Sequence, residues 1–324
     1  MKIVLTDHGF ASIEQEQRLF SAAGCTLVVV QSKDPAVLAS ACRDADALLV
    51  QWAPITPEVI ASLERCKIIV RYGIGVDNVD LQAAGARGIP VCNIPDYCID
   101  EVADHSLSLA LALARQIPQT DAATRGGTWK ILPPSPFPAF RSTTFATAGF
   151  GRIARAVLER ARVFGFKLAA YDPFVPAAAF AEAGVRSLSV SELWSEAGII
   201  SLHLPLTAET KHLVNRTTLA QMRRDAIIVN TARGGLIDTV ALAEALHEGK
   251  LAGAGLDVFE TEPLPTDHPL RHSPNTLITS HTAWYSGGSV PELQRKAAEA
   301  VLRGVKGEKL IHVVNANYLR SPQS

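Results

Sequence analysis

Short apolar runs of strand length recur along this 324-residue chain, and within them polar and apolar residues do not alternate. Residues 3–5, 27–30, 48–50 and 68–70 are continuous β-rich hydrophobic stretches. A strand with one face in water alternates with a period of two, whereas a strand covered on both faces does not. Ala- and Leu-containing segments with helical spacing separate the runs. Apolar strands divided by helices define an α/β chain built on a parallel sheet. The pattern restarts after residue 140, at 144–148, 167–171, 199–202, 226–230, 253–256 and 276–279. Two such blocks predict two α/β domains, each with its own core.

Composition agrees with well-filled cores and excludes disorder: 48% of residues are hydrophobic and 19% charged. The 31 basic and 32 acidic residues leave a net charge of -1, so nothing calls for nucleic acid or an anionic membrane as partner. The opening MKIVLTD reads as a strand rather than a secretory leader. The most apolar helical stretch, 107–114, is far shorter than a membrane span. The five cysteines, Cys25, Cys42, Cys66, Cys92 and Cys98, follow neither CxxC nor zinc-finger spacing. They are expected to be reduced, mostly buried thiols of a cytoplasmic protein. No HExxH or clustered Cys/His pattern suggests a catalytic metal.

Three segments organise the chain between and after the blocks. Residues 101–115 predict a long helix, capped by Asp100, ended by Pro118 and buried for want of a polar face after Ser108. The Pro-rich ILPPSPFPAF (131–140) excludes helix and central strand and reads as an extended arm. Near the end, Ser289 and Glu292 with Pro291 between them predict a capping box. Leu293, Ala297, Ala300 and Val301 give that last helix an apolar stripe.

The second block opens on the strongest local pattern. A strand candidate leads into Gly149-Phe150-Gly151-Arg152-Ile153-Ala154 and then a helix, and a second strand ends at Asp172, 23 residues after the first glycine. This is GxGxxA inside a βαβ unit with the acid that dinucleotide sites carry. Gly149 permits the tight turn, Gly151 lets a pyrophosphate approach the backbone, and Ala154 allows close helix–strand packing. The free N–H groups of the helix start favour phosphate. Asp172 is placed to accept hydrogen bonds from the adenine ribose and to repel the extra phosphate of NADP. With no arginine nearby to accept that phosphate, NAD is the expected cofactor.

Four polar residues follow strand candidates: His203, Arg233, Asp257 and His281. In an open parallel sheet, ligands bind beyond the carboxyl ends of the strands, so the four can converge. His203 alone reads as a structural or cofactor-loop residue. At this point the chain resembles the D-isomer-specific 2-hydroxyacid dehydrogenase family over nearly its whole length. The resemblance rests on RYGIGVDNVD (71–80), EVADHSLSLALALAR (101–115), GFGRIA (149–154), SLHLPLTAETKHLVN (201–215), NTARGGLID (230–238), GLDVFETEPLP (255–265) and HTAWYS (281–286). The last of these, with VCNIPDYCIDEVAD, looks most like the branch that holds the C-terminal-binding-protein corepressors and their bacterial relatives. Ser142 and Ala146 stand where relatives usually carry glycine.

The resemblance implies an NAD-dependent oxidoreductase that moves a hydride between NAD(H) and a small 2-keto acid or D-2-hydroxy acid. His281 would exchange a proton with the substrate oxygen, a task that suits imidazole. Glu262, chosen over Glu260 by the DVFxxEP spacing, would orient His281 and favour its protonated form. Arg233 would hold the substrate carboxylate or carbonyl. His203, Leu204, Pro205, Thr210, Thr231, Ala232 and Asp257 would line the cofactor, with Asp257 at its nicotinamide end. The Gly73-Ile74-Gly75 loop would offer N–H groups to the substrate carboxylate, and Arg71 and Trp284 would complete the pocket.

The implied fold is two Rossmann-like or flavodoxin-like parallel-sheet domains with an inter-domain active-site cleft. Residues 1–100 and 286–324 would form a discontinuous substrate domain, and 101–285 the NAD-binding domain, with the crossing helices as hinges. A homodimer is expected, its interface at the 101–115 helix and the Pro-rich arm. A chain ending at 324 is not expected to carry the appended regulatory domain of longer members. A different class of function stays open: an NAD(H)-sensing, protein-binding dimer like the corepressors, with little or no turnover.

Overall fold

The computed structural model describes residues 1–131 and 137–319. The chain divides into two compact units, Met1–Cys98 with Tyr285–Ser324, and Ile99–Trp284. The first contains β1 (Lys2–Leu5), α1 (Glu14–Ala22), β2 (Thr26–Val29), α2 (Pro35–Ala41), β3 (Ala47–Val50), α3 (Pro57–Ser62), β4 (Ile68–Arg71), α4 (Leu81–Ala86) and β5 (Val91–Cys92). The strands form one five-stranded parallel sheet in the order 2-1-3-4-5, an open doubly wound topology. Ile3, Val4, Leu5, Leu48, Leu49, Val50, Ile69 and Val70 are fully buried, as their uninterrupted apolar runs require. β2 carries the same kind of run but stands at the sheet edge, where Val28 and Val29 are exposed. Side-chain caps start three of these helices: Asp34 accepts the Ala36 N–H, Thr56 the Val59 N–H and Asp80 the Ala83 N–H.

The second unit runs through α5 (Ile99–Ala114), α6 (Ile117–Arg125), β6 (Thr144–Ala148), α7 (Arg152–Val163), β7 (Lys167–Tyr171), α8 (Ala177–Glu182), β8 (Arg186–Ser187), α9 (Val190–Glu196) and β9 (Ile199–Leu202). It continues through α10 (Arg216–Leu219), β10 (Ile227–Asn230), α11 (Thr239–His247), β11 (Gly253–Leu256) and β12 (Thr276–Ile278). Its seven parallel strands lie in the order 12-11-10-9-6-7-8. The chain therefore leaves β6 in one direction and returns at β9 on the other side. That reversal is the switch point at which such sheets open a crevice beyond the strand ends. α12 (Ser289–Lys306) then rejoins the first unit, packed on β3 and β4.

α5 lies against α7, β10 and β11, with Val102, Ala103, Leu107, Leu109, Ala110 and Leu113 buried. The glycines of β11 make this approach possible. A Cβ on Gly255 would come within 2.9 Å of Leu109 Cβ, and one on Gly253 within 3.2 Å of Leu113 Cδ2.

Several local expectations change. Asp100 lies inside the first turn of α5 and pairs with Arg160 rather than capping. Pro118 opens α6, after Gln116 breaks the path at φ 50°. Ser289 is the first residue of α12, capped by Gly288 without a side-chain bond; it exchanges hydrogen bonds with Ser286, while Glu292 pairs with Arg295 and Lys296. Ser142 ends a short 3-10 turn, its hydroxyl on the Ala139 carbonyl, and only Ala146 of the two glycine replacements lies in the strand. The Pro-rich reading of 131–140 falls largely on 132–136, outside the described residues.

Candidate active site

The glycine turn stands at the switch point. Gly149 follows β6 at φ +98°, and a Cβ there would lie 2.5 Å from the His203 carbonyl oxygen. Only glycine satisfies both conditions. Its N–H donates to the Tyr171 carbonyl at 2.7 Å, which ties the turn to β7. Gly151 is the N-cap of α7, has no side chain to cap with, and a Cβ built on it would meet nothing within 4 Å. The first bond inside the helix is from Arg155 N–H to the Gly151 carbonyl, which leaves Arg152 and Ile153 N–H without an intrahelical acceptor. Behind them Ala154 is fully buried, and Phe150 stacks on Phe180 with centroids 4.4 Å apart. Asp172 closes the other side: Oδ2 accepts the Phe150 N–H at 2.9 Å and Oδ1 the Phe174 N–H at 3.0 Å. An open cradle, uncapped N–H groups at a helix start and a carboxylate at the end of the next strand fit a dinucleotide.

The remaining cofactor candidates line neighbouring strand ends. His203 follows β9, with Nε2 2.9 Å from Ser201 Oγ, and burial of the ring pushes its pKa down to about 3. It is a neutral imidazole at pH 7. Leu204 packs on the core, and Pro205 accepts the Thr210 hydroxyl at 2.7 Å, closing a loop on itself. Thr231, after β10, is buried and lies 2.7 Å from the Ser106 hydroxyl of α5. Ser106 gives its proton to the Val102 carbonyl, so Thr231 is the donor in that pair. The Ala232 N–H donates to Asn230 Oδ1 at 3.0 Å.

The reaction candidates sit at the ends of β10, β11 and β12, three adjacent strands. His281 Nδ1 lies 2.8 Å from Glu262 Oε2, and Glu262 Oε1 accepts the Phe259 N–H at 2.9 Å. Burial alone would raise the Glu262 carboxyl; the His281 hydrogen bond and charge, with the Phe259 N–H, outweigh it and hold the group below its ordinary range. With Nδ1 turned to Glu262, Nε2 is the ring nitrogen left for another partner. Arg233 Nη1 donates to the Ala232 carbonyl at 2.7 Å. The next residue, Gly234, packs so closely on the turn before Glu262 that a Cβ would fall 1.9 Å from the Phe259 carbonyl carbon. Glu262 and His281 are thus in contact, and the Arg233 segment is pressed on the segment that carries Glu262.

Asp257 is fully buried, and its carboxylate binds the chain around His281. Oδ1 accepts the Thr282 N–H at 2.9 Å and the Thr279 hydroxyl at 2.5 Å, while Oδ2 accepts the Ala283 N–H at 2.9 Å. His105 of α5 reaches this group through Thr279. Nothing in the sequence marks His105, Ser106 and Thr279 as site residues beyond a polar pair, His-Ser, on the otherwise apolar face of α5. Glu260 belongs to another cluster, with His212 at 2.5 Å and the Thr239 hydroxyl at 2.8 Å. His268 Nε2 lies 3.2 Å from the Thr239 hydroxyl and joins that cluster.

The other substrate candidates are in the first unit, apart from Trp284. Arg71 ends β4, and Gly73, Ile74 and Gly75 follow it. Gly73 has φ +131°, and a Cβ there would fall 1.8 Å from Arg71 Nη1, so the guanidinium occupies the space that glycine leaves. Asn93 Nδ2 holds the Ile74 carbonyl at 2.6 Å and the Ile94 N–H holds that of Gly73 at 3.0 Å. Trp284 is the last residue of the second unit and half-buried. Among the described residues no cluster of three His, Cys, Asp or Glu side chains can hold a metal, and no helix is long and apolar enough to cross a membrane.

A doubly wound sheet with an open glycine turn at its switch point, and a His–Glu pair on the neighbouring strand ends, defines a dinucleotide-dependent class of fold and site. Residues 107–283 match the D-isomer specific 2-hydroxyacid dehydrogenase NAD binding domain. The chain is 43% identical over 291 residues to the D-3-phosphoglycerate dehydrogenase of Mycobacterium bovis, covering 88% of this chain and 54% of that one. It is 36% identical over 282 residues to the glyoxylate reductase of Korarchaeum cryptofilum, covering 86% and 85%. The crystal structure of D-lactate dehydrogenase from Aquifex aeolicus, complexed with NAD and lactic acid, superposes with a TM-score of 0.86 at 28% identity, over 94% of this chain and 96% of that one. The chain belongs to the D-isomer specific 2-hydroxyacid dehydrogenase family. It spans about half the length of the phosphoglycerate dehydrogenases it matches.

Proposed function

We propose that the protein is an NAD-dependent oxidoreductase that interconverts a small 2-keto acid and its D-2-hydroxy acid. The observation that carries this reading is the His281–Glu262 contact of 2.8 Å, on strand ends beside an open dinucleotide turn. Glu262 holds Nδ1 and thereby turns Nε2 toward substrate, where it gives a proton to the carbonyl oxygen in reduction and takes it back in oxidation. Arg233 supplies a fixed positive charge against the charge that develops on that oxygen. Arg71 and the backbone N–H groups of Ile74 and Gly75 take the substrate carboxylate, the Gly73 N–H being held by the Arg71 carbonyl at 3.0 Å, with Trp284 shaping the pocket. The nicotinamide cofactor, when bound, supplies or accepts the hydride. Arg152 and Ile153 N–H groups receive the pyrophosphate, and Asp172 the ribose hydroxyls; its negative charge selects NAD over NADP.

We further propose a homodimer and a cytoplasmic setting. Ile117, Trp129 and Ile131 are exposed and α6 buries no residue, whereas the apolar face of α5 is already used within its unit. The five cysteines are free, and burial lifts the thiols of Cys42 and Cys92 to about 11 and that of Cys66 to about 12, which keeps them unreactive. The test is NADH oxidation across 2-keto acids of different size and charge, repeated with His281→Ala. Loss of a general acid typically costs about 10²–10⁴-fold in turnover with NADH binding retained. Unchanged turnover in that variant rejects the reading.

A further inference from the structure

His105 lies in α5, on the side that meets the ends of β11 and β12. Its Nε2 is 2.9 Å from Thr279 Oγ1. The Thr279 hydroxyl donates its single proton to Asp257 Oδ1 at 2.5 Å, so toward His105 it can only accept. The direction of the chain is therefore fixed: His105 Nε2–H donates to Thr279, and Thr279 donates to Asp257. The same Nε2 is 3.7 Å from Asp257 Oδ1, within reach of direct attraction when the imidazole is charged.

What Asp257 holds makes the relay matter. Its carboxylate takes the N–H groups of Thr282 and Ala283, and its main-chain carbonyl takes the His281 N–H at 2.8 Å. Every one of these contacts is on the segment that presents His281. His281 itself sits at φ +56°, a left-handed conformation that a residue with a Cβ keeps only when its surroundings over-determine it. A buried carboxylate that accepts hydrogen bonds from Thr279, Thr282 and Ala283 is such a surrounding.

We infer that His105 is a positioning residue for the reaction: through Thr279 it fixes the Asp257 carboxylate, and through Asp257 the loop that aims His281. This rests on the reading of His281 as the proton-transferring group. The His105 side chain is 24% exposed, so its replacement must keep the packed volume of the ring while removing the hydrogen bond. Leu in its place keeps volume and helix propensity and removes only the donor.

The experiment uses NADH with glyoxylate, together with amide resonances of the cofactor-free protein. His105→Leu is expected to lower kcat about tenfold, leave KM within about twofold, and shift the amide signals of Thr282 and Ala283. His105→Gln, whose terminal amide N–H reaches where Nε2 stands, is expected to keep kcat within about threefold of the parent and restore the amide positions. Thr279→Val breaks the same relay, so adding His105→Leu to it should cost nothing more. Unchanged kcat in His105→Leu, failure of Gln to rescue, or losses that multiply in the double variant would each overturn the proposal. If glyoxylate is not turned over, the amide signals decide: unmoved signals at 282 and 283 reject it, moved and Gln-rescued signals support it. Failure of the underlying reading shows separately, as full turnover in His281→Ala.

Discussion

Gly149 and Gly151 stand two residues apart and have opposite reasons to be glycine. At 149 the backbone is at φ +98° and a side chain would strike the His203 carbonyl, so Gly149→Ala should damage the fold itself. Strain and overlap of this kind cost about 2 kcal/mol or more, a fall in Tm of roughly 5 °C. At 151 the backbone is ordinary for the start of a helix and a Cβ meets nothing. Gly151→Ala should therefore leave Tm unchanged and weaken NADH about tenfold, because the methyl stands where the phosphates approach. Equal effects of the two variants on Tm in a thermal melt would contradict this. Glu262 makes a prediction of a different kind. Its carboxyl is held below the ordinary range in the fold, so its contribution to stability is present above the unfolded pKa and lost as pH falls through the folded value. Melts of Glu262→Gln against the parent should differ at neutral pH and converge below about pH 4. A gap that widens toward acid would reverse the sign and refute it.

At the scale of elements, α12 shows why packing overrides propensity. Gly304 lies inside this helix, where replacing glycine by alanine ordinarily gains roughly 1 kcal/mol. Here the new Cβ would fall 2.5 Å from Ile68 Cγ2 and 2.7 Å from Ile68 Cβ, on a fully buried, branched side chain of β4. Overpacking of that sort costs about 1–3 kcal/mol, so Gly304→Ala should lower the urea midpoint; a rise would show that the two elements part easily. The same contrast separates what was legible in the sequence from what was not. Strands such as 199–202 and 253–256 could be placed to the residue because burial on both faces leaves short, nearly continuous apolar runs. β5 and β8 could not, being two residues long with no pattern to show. Ser289 resembled a cap because Ser-x-x-Glu has the right spacing, yet Glu292 finds Arg295 and Lys296 as partners instead.

At the scale of the whole molecule, the residues of the site were legible where backbone geometry demands a residue type, as at the GFGRIA turn. They were hidden where a side chain acts on a distant segment: nothing in the spacing joins His105 to Thr279, 174 positions away. Quaternary structure lies further still from the sequence pattern, and the surface supplies the argument. Ile117 is 55% exposed, Trp129 81% and Ile131 86%, all within one stretch of chain around a helix that buries nothing. Covering an aliphatic or aromatic side chain fully contributes about 1.5–3 kcal/mol. Association itself costs at least about 4 kcal/mol, so these three side chains can anchor an interface but need the rest of the face of α6 with them. The expectation is a dimer in sedimentation at micromolar concentration. Trp129→Ser with Ile131→Ser should weaken it about a hundredfold or more, with the melting curve of each unit's core little changed at concentrations where the parent is monomeric. A parent chain that sediments as a monomer, or a double variant that dimerises as tightly as the parent, would place the interface elsewhere or remove it.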